Sequence, residues 1–305
     1  MLSEEARAEL AAIAPLRRCD RLAELSGLFH TAGRLHLHGR GELSLDLDVA
    51  SAAVARRAFR LLRELGLASE VWTYEEHAFA RPVRYQLRVE GAGDALAVLR
   101  EAGVLGPGGR PLQRPPKRVA GRGCCRAAYL RGAFLGGGSV TPPPSGHLEV
   151  RTPTLDGAEF LSWVGACEGI DLRARVRARY SIAYAKGAET IADALAFAGA
   201  SEAALALDEH AVVAAARSQA NRLANADHAN LVRLSRAAHR QLRALARLER
   251  DGRLGELPGP LREMAELRLR NPSLSVRELA SKCRPPATKA TAYRRLQRLA
   301  RLAED

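Results

Sequence analysis

Along residues 20–102 the apolar positions switch between two periods. Leu22, Leu25, Leu28 and Phe29 recur at helical spacing behind Asp20, a residue type suited to an N-cap, and Gly33 ends the run, so the spacing predicts a helix over 20–33. Segments 34–38 (RLHLH) and 42–48 (ELSLDLD) alternate with period two around Gly39 and Gly41, which predicts a hairpin. A helix follows over 50–65 and stops at Gly66. Strands follow over 69–76 and 82–90, the second opened by Pro82, and then a helix over 93–102. The order is α-β-β-α-β-β-α.

That order recurs. After a Gly-, Pro- and Arg-rich stretch at 103–122, the pattern predicts a helix over 123–137, strands on either side of the PPPSG turn at 142–146, a helix over 155–168, strands over 170–178 and 180–186, and a helix over 187–198. The helix ends align as LSGLFHTAG (25–33) and LRGAFLGGG (130–138), each with glycine at its third and ninth positions. A mid-helix glycine costs about 1 kcal/mol relative to alanine. Its presence twice at one offset implies that the two helices approach closely along a pseudo-two-fold axis. Residues 209–250 predict one long helix with Val212, Val213, Leu223, Leu231, Leu234, Leu242 and Leu245 as its apolar positions, bent or broken near Asn225 to Asn230. The cluster of Asn221, Asn225, Asp227 and Asn230 is read either as capping around that break or as a polar hinge or docking surface. The expected division is 1–103, first lobe; 104–122, basic linker; 123–208, second lobe; 209–256, helical linker; and 257–305, an all-helical domain.

Charge sharpens the picture. The 305 residues carry 47 basic and 34 acidic side chains, a net of +13. Residues 209–305 alone hold +10, as a footprint for a polyanion would. No acid occurs between Glu101 and Glu149, so the basic linker reads as a solvated connector or as a phosphate-contacting strap. Arg173, Arg175, Arg177 and Arg179 recur at every second position, which places all four on one strand face, exposed or against a polyanion. In the first lobe Glu42, Asp46 and Asp48 share a face, which would repel phosphate. No apolar stretch is long enough to span a membrane and the first residues lack a secretory pattern, so a cytoplasmic protein is expected. Five cysteines form no CxxC pair, and adjacent Cys124 and Cys125 are poorly spaced for a zinc knuckle; free thiols, no metal and no cofactor are expected. The eight histidines form no ligand cluster.

The last segment carries the strongest binding signal. Residues 260–272 predict a helix ended by Pro272. SLSVRELASKC (273–283) opens a second with a capping box, Ser275 and Glu278, and RPPATK (284–289) is a turn. A third helix follows, with Tyr293, Leu296, Leu299 and Ala300 as its core stripe. Three short helices with a basic third are a helix-turn-helix layout. Thr288, Lys289, Thr291, Arg294 and Arg295 are expected at bases or nearby phosphates, and Lys282 and Arg298 at the backbone.

The paired glycine-bearing helix ends resemble the LAGLIDADG homing-endonuclease fold. There, the resemblance implies, the last acid of each motif binds the divalent metals that cleave DNA. Here those positions are Ala32 and Gly137, neither able to ligate a metal. Two such lobes followed by a helix-turn-helix resemble the WhiA family of bacterial regulators over nearly the whole chain. The stretches that carry it are CDRLAELSGLFHTAGRLHL (19–37), CCRAAYLRGAFLGGGSV (124–140), NRLANADHANL (221–231) and residues 257–299. The resemblance implies an α+β fold of tandem lobes plus an all-α domain. It also implies a sequence-specific, nucleoid-associated transcription regulator of double-stranded DNA, linked to sporulation or to cell division and chromosome segregation, with room for a protein co-regulator. The alternatives are a metal-dependent endonuclease using other acids and a scaffold that binds DNA without sequence preference.

Overall fold

In a computed structural model, residues 2–38, 43–75, 83–91 and 93–304 are described. The hairpin turn expected at Gly39 to Gly41, Glu42, His77 and the strand-opening Pro82 lie outside them. The chain forms two compact units, residues 2–216 and 217–304.

The first unit opens with a helix that the apolar pattern did not single out, α1 (Leu2–Ala12), which buries Leu2, Ala6 and Leu10. The first lobe then runs α2 (Arg18–Ala32), β1 (Gly33–Leu37), β2 (Leu43–Val49), α3 (Ala52–Glu64), β3 (Glu70–Glu75), β4 (Val83–Glu90) and α4 (Asp94–Glu101). The second repeats it as α5 (Gly123–Gly137), β5 (Gly138–Thr141), β6 (His147–Thr152), α6 (Leu155–Ala166), β7 (Arg173–Val176), β8 (Ser181–Lys186) and α7 (Ala188–Ala198). Each lobe holds a four-stranded antiparallel sheet, ordered β1-β2-β4-β3 and β5-β6-β8-β7. Alternation decides the faces: Leu43, Leu45, Leu47 and Val49 turn to the helices, and the polar positions between them lie on the opposite face of the sheet, where Ser44 and Asp46 are buried as well. The N-cap of α2 is Arg17, and Asp20 lies within the first turn.

Helices α2 and α5 form the seam between the lobes. A Cβ built on Gly27 would press on the backbone carbonyl of Tyr129 and come within 2.7 Å of the Ala133 nitrogen. One built on Gly132 would press on the Glu24 carbonyl and reach the Leu28 nitrogen at 3.0 Å. The repeated glycines are therefore required by backbone-to-backbone approach, and the contacts mirror one another across the pseudo-axis. Glu24, fully buried, ties the seam: its carboxylate accepts from Arg57 of α3 at 2.6 Å and Arg131 of α5 at 3.0 Å, and Arg131 also donates to the Ala198 carbonyl. A buried carboxylate persists only when paired and hydrogen-bonded, and the two guanidinium groups meet that condition.

The stretch at 103–122 is built into this unit rather than solvated throughout. It contains short 3-10 turns at Pro107–Gly109 and Lys117–Ala120, and Val104, Leu105, Val119 and Ala120 are buried. Of the neighbouring bases, Arg126 pairs with Glu168 and Arg131 is held by Glu24, while Arg110, Arg114, Lys117, Arg118 and Arg122 remain exposed.

Helix α8 runs unbroken over Ser201–Arg250, so the break expected near Asn225 to Asn230 is absent. Those residues lie exposed on a continuous helix, with the Asn230 side-chain oxygen accepting from Arg233 at 2.5 Å. Val212, Val213, Leu223, Leu231 and Leu234 are exposed rather than core positions; the helical spacing is there but no element covers it among the described residues, whereas Leu245 and Leu248 are buried. The second unit continues with α9 (Gly259–Arg270), α10 (Val276–Lys282) and α11 (Lys289–Leu302) around Met264, Ala265, Leu279, Ala292, Leu296 and Leu299.

Candidate nucleic-acid interface

The three-helix unit is organised by its caps. The Ser275–Glu278 capping box is complete: the Ser275 N–H donates to the Glu278 carboxylate at 2.7 Å and the Glu278 N–H to the Ser275 hydroxyl at 3.3 Å. These bonds hold the Glu278 carboxyl below its ordinary pKa. Buried Arg268 donates to the Leu274 carbonyl at 2.6 Å, tying the α9–α10 turn to α9, and its burial lowers its pKa. Thr288 is the N-cap of α11 and accepts from the Thr291 N–H at 3.1 Å.

These caps present one open face of α11. Lys289, Tyr293, Arg294, Gln297, Arg298 and Arg301 are exposed on it, and Thr288 stands at its start. Two expectations change. Tyr293 is half exposed and accepts a hydrogen bond from Gln297 at 3.0 Å; the core stripe is Ala292, Leu296 and Leu299, one position out of phase with the tyrosine. Arg295 is half buried and turned toward α9, 3.9 Å from Glu263 and 3.9 Å from the Cys283 sulfur, so its charge is largely used inside the domain. Thr291 is half buried beside the cap, and Lys282 is exposed at the end of α10. Gln297 carries no role in the sequence pattern and Tyr293 only that of a core position; Tyr293 lies four residues after Lys289 and Gln297 four after Tyr293, the spacing that sets all three on one side of the helix.

The outer sheet faces of the two lobes differ in charge. On the first, Asp46 and Asp48 do not stand bare: Arg88 binds Asp46 at 2.9 Å, Gln86 binds it at 2.6 Å, and Arg84 binds Asp48 at 2.9 Å. Burial alone would raise the Asp46 carboxyl, but these donors and the Arg88 charge hold it below the usual range. The repulsion expected from this face is therefore largely cancelled by β4, whose register sets Arg88 opposite Asp46. Arg88 also lies over the exposed Trp72 ring, 4.9 Å from its centroid.

On the second lobe, β7 ends at Val176, so only Arg173 and Arg175 share the strand face; Arg177 and Arg179 fall in the turn that follows. The strand stops because the Arg177 N–H closes the turn onto the Tyr180 carbonyl. All four are exposed, and Arg173 pairs with Asp171 at 2.8 Å. Arg175, Arg177 and Lys186 line one cleft with His147 and Tyr184.

At the C-terminal ends of α2 and α5 lies a cleft of about 670 Å³, lined by Ala32, Gly137, Arg7, Arg34, Arg84 and Arg151. Among the described residues its one carboxylate is Asp48, bound by Arg84 and the Tyr74 hydroxyl. A Cβ on Gly137 would meet the Arg151 carbonyl at 2.7 Å, leaving no room for an acid there without backbone movement. The groups present do not fit the paired-carboxylate, two-metal centre of a phosphodiesterase.

Three family models match in chain order: the WhiA N-terminal LAGLIDADG-like domain over 18–105, the WhiA LAGLIDADG-like domain over 126–217 and the WhiA C-terminal HTH domain over 220–303. A relative named "Probable cell division protein WhiA" from Heliobacterium modesticaldum is 37% identical, the alignment covering 99% of this chain and 95% of that one. The relative of the same name from Symbiobacterium thermophilum is 37% identical, over 98% and 96%. The crystal structure of full-length WhiA from Thermatoga maritima superposes with a TM-score of 0.57 at 24% identity, covering 99% of this chain and 97% of that one. With two LAGLIDADG-like lobes, a helix-turn-helix region and these full-length matches, the chain belongs to the WhiA family.

Proposed function

We propose that the protein is a sequence-specific regulator that binds double-stranded DNA and takes part in cell division, chromosome segregation or sporulation, without nuclease chemistry. The observation that carries this reading is the open basic face of α11. Lys289, Tyr293, Arg294 and Gln297 stand on consecutive turns, where a helix laid in the major groove meets base edges, and Arg294 and Gln297 are of the types that read guanine and adenine there. Thr288 and Thr291 hold the start of that helix and offer hydroxyls beside it; Lys282, Arg298 and Arg301 flank it toward phosphates. Arg295 acts mainly as a positioning group between α11 and α9.

Arg175, Arg177 and Lys186 of the second lobe, with Arg173 and Arg179 beside them, supply a second, sequence-independent phosphate contact. The printed names of the relatives support the cell-division role. DNA binding would keep the protein in the cytoplasm at the nucleoid, and the exposed flank of α8 leaves surface for a protein co-regulator.

The test is a salt-titrated selection from a random-sequence DNA pool with the full chain. Enrichment of one motif, lost in Arg294→Ala with Gln297→Ala, is expected. Uniform binding across the pool would replace this reading with that of a non-specific scaffold. Cleavage of supercoiled plasmid with Mg²⁺ or Mn²⁺ would overturn the non-nuclease part.

A further inference from the structure

The pseudo-two-fold repeat has a second meeting point, at the end of α2 and α5 opposite Ala32 and Gly137. Cys19 and Asp20 occupy the first turn of α2; Cys124 and Cys125 occupy the matching positions of α5. The register that aligns Gly27 with Gly132 aligns Cys19 with Cys124 and Asp20 with Cys125. Because the two helices run side by side in the same direction, the repeat brings these residues face to face. One ligand atom from each, three sulfurs and a carboxylate oxygen, lies within 4.8 Å of every other.

We propose that Cys19, Asp20, Cys124 and Cys125 form a binding site for one borderline-soft divalent cation, Zn²⁺ being the best fit. Geometry supports it first. With Zn–S near 2.3 Å and Zn–O near 2.0 Å, a tetrahedral site has S···S edges of roughly 3.8 Å and S···O edges of roughly 3.5 Å. The Cys124 and Cys125 sulfurs are 3.9 Å apart, and the Cys19 sulfur is 3.5 Å from the Asp20 oxygen. The cluster is already near the shape a tetrahedral ion needs, so loading it requires small side-chain adjustments.

Chemistry supports it second. Both pairs sit at helix N-termini, where the backbone favours negative charge on the ligands. Arg17 lies 3.9 Å from the Cys124 sulfur and offsets the excess charge of three thiolates and a carboxylate around a dication. Cys125 is buried while the other three residues are half exposed, which leaves a path for the ion. A thiolate-rich donor set selects Zn²⁺ over Mg²⁺ or Ca²⁺. Bound there, the ion would clip the first lobe to the second at the end of the seam away from the cleft.

Titration of the reduced, metal-free full chain with Co²⁺ and then Zn²⁺, without oxygen, tests the proposal. Expected are tetrahedral cobalt–thiolate absorption bands saturating at one ion per chain, bleached by Zn²⁺, with the same stoichiometry in native mass spectrometry. Cys19→Ser, Cys124→Ser and Asp20→Asn should each weaken Zn²⁺ by about tenfold or more against a chromophoric chelator. Cys167→Ser, at the exposed cysteine outside the cluster, should leave it unchanged. The two half-exposed cysteines and the aspartate are chosen because Ser and Asn there preserve the fold, which circular dichroism checks. Absence of the cobalt bands in the native chain, or bands that survive Cys19→Ser together with Cys124→Ser, overturns the proposal.

Discussion

A single methyl group added at Gly132 separates two opposing effects. In an unpacked helix, Gly→Ala is stabilising by about 1 kcal/mol. Here the new Cβ would lie against the Glu24 carbonyl, 2.9 Å from the Glu24 carbonyl carbon and 3.0 Å from the Leu28 nitrogen. These obstacles are main-chain atoms of a helix pinned by the Arg57–Glu24–Arg131 bonds, so no rotamer change relieves them. The helices must move apart by a large fraction of an ångström. Overpacking of this kind costs ~1–3 kcal/mol or more, and a rigid backbone obstacle belongs at the upper end. Set against the propensity gain, the net expectation is a loss of about 2 kcal/mol. Gly27→Ala should behave alike, because its Cβ would meet Tyr129 and Ala133 in the mirrored contact. The double variant should lose less than the sum, since one separation of the helices relieves both clashes. Both tryptophans, Trp72 and Trp163, lie in the first unit, so their fluorescence during denaturation reports that unit. A fall in midpoint of about 4–8 °C is expected for a unit of this size. Gly123→Ala, at the start of α5 with no atom closer than 3.7 Å to its Cβ, is the control in the same unit. A rise in stability for Gly132→Ala or Gly27→Ala would refute the close-approach account of the repeated glycines.

Glu24→Ala should destabilise the first unit by about 3–5 kcal/mol in the same assay, because Arg57 and Arg131 are left buried without their anion; a change near zero would show the triad to be dispensable. Burial lowers the pKa of His30, opposed by hydrogen bonding to the Ser26 and Leu112 backbone. The unfolded chain then takes a proton that the folded chain refuses, so stability should decline as pH falls below about 6.5, and His30→Gln should flatten that decline above the carboxylate range. Lack of any difference between the two pH profiles would remove His30 from the balance. Arg175→Ala with Arg177→Ala should weaken DNA binding evenly across sequences and reduce the salt slope by about 2; a shift in preferred motif instead would make the second lobe a reader of bases.

The lobes were legible because each signal for them is local. Glycine inside a helix is costly enough that Gly27 and Gly132 stand out, and strict alternation at Leu43 to Val49 marks a strand with one apolar face. The repeat then ties the two halves together. Departures arise where a neighbour decides. Arg177 and Arg179 keep the period of β7, but a turn closing on Tyr180 ends the strand before them. Asp46 and Asp48 looked repulsive because Arg84 and Arg88 reach them only through strand pairing, about 40 residues away in sequence. Tyr293 lies three residues before Leu296, so spacing alone allows it in the core stripe; burial of Ala292 beside it shows that the stripe passes one residue earlier and leaves Tyr293 at the edge of the open face. The exposed leucines of α8 show that a helical period predicts a helix more securely than it predicts what covers it. The Cys19–Cys125 cluster was invisible to spacing rules because its halves belong to different repeats.

The crowding around Gly137 bears on how this family member can change over time. Alanine-to-aspartate and glycine-to-aspartate are each single-base substitutions, so mutation supplies acids at positions 32 and 137 at a steady rate. Position 32 is half exposed and could receive one. At 137 the Arg151 carbonyl stands 2.7 Å from where the first side-chain atom must go. An aspartate there must first displace that carbonyl, so it carries a folding cost that an acid at position 32 does not. Packing thus sets an order of events: a paired-acid cleft needs the Arg151 backbone to move before the second acid can be seated.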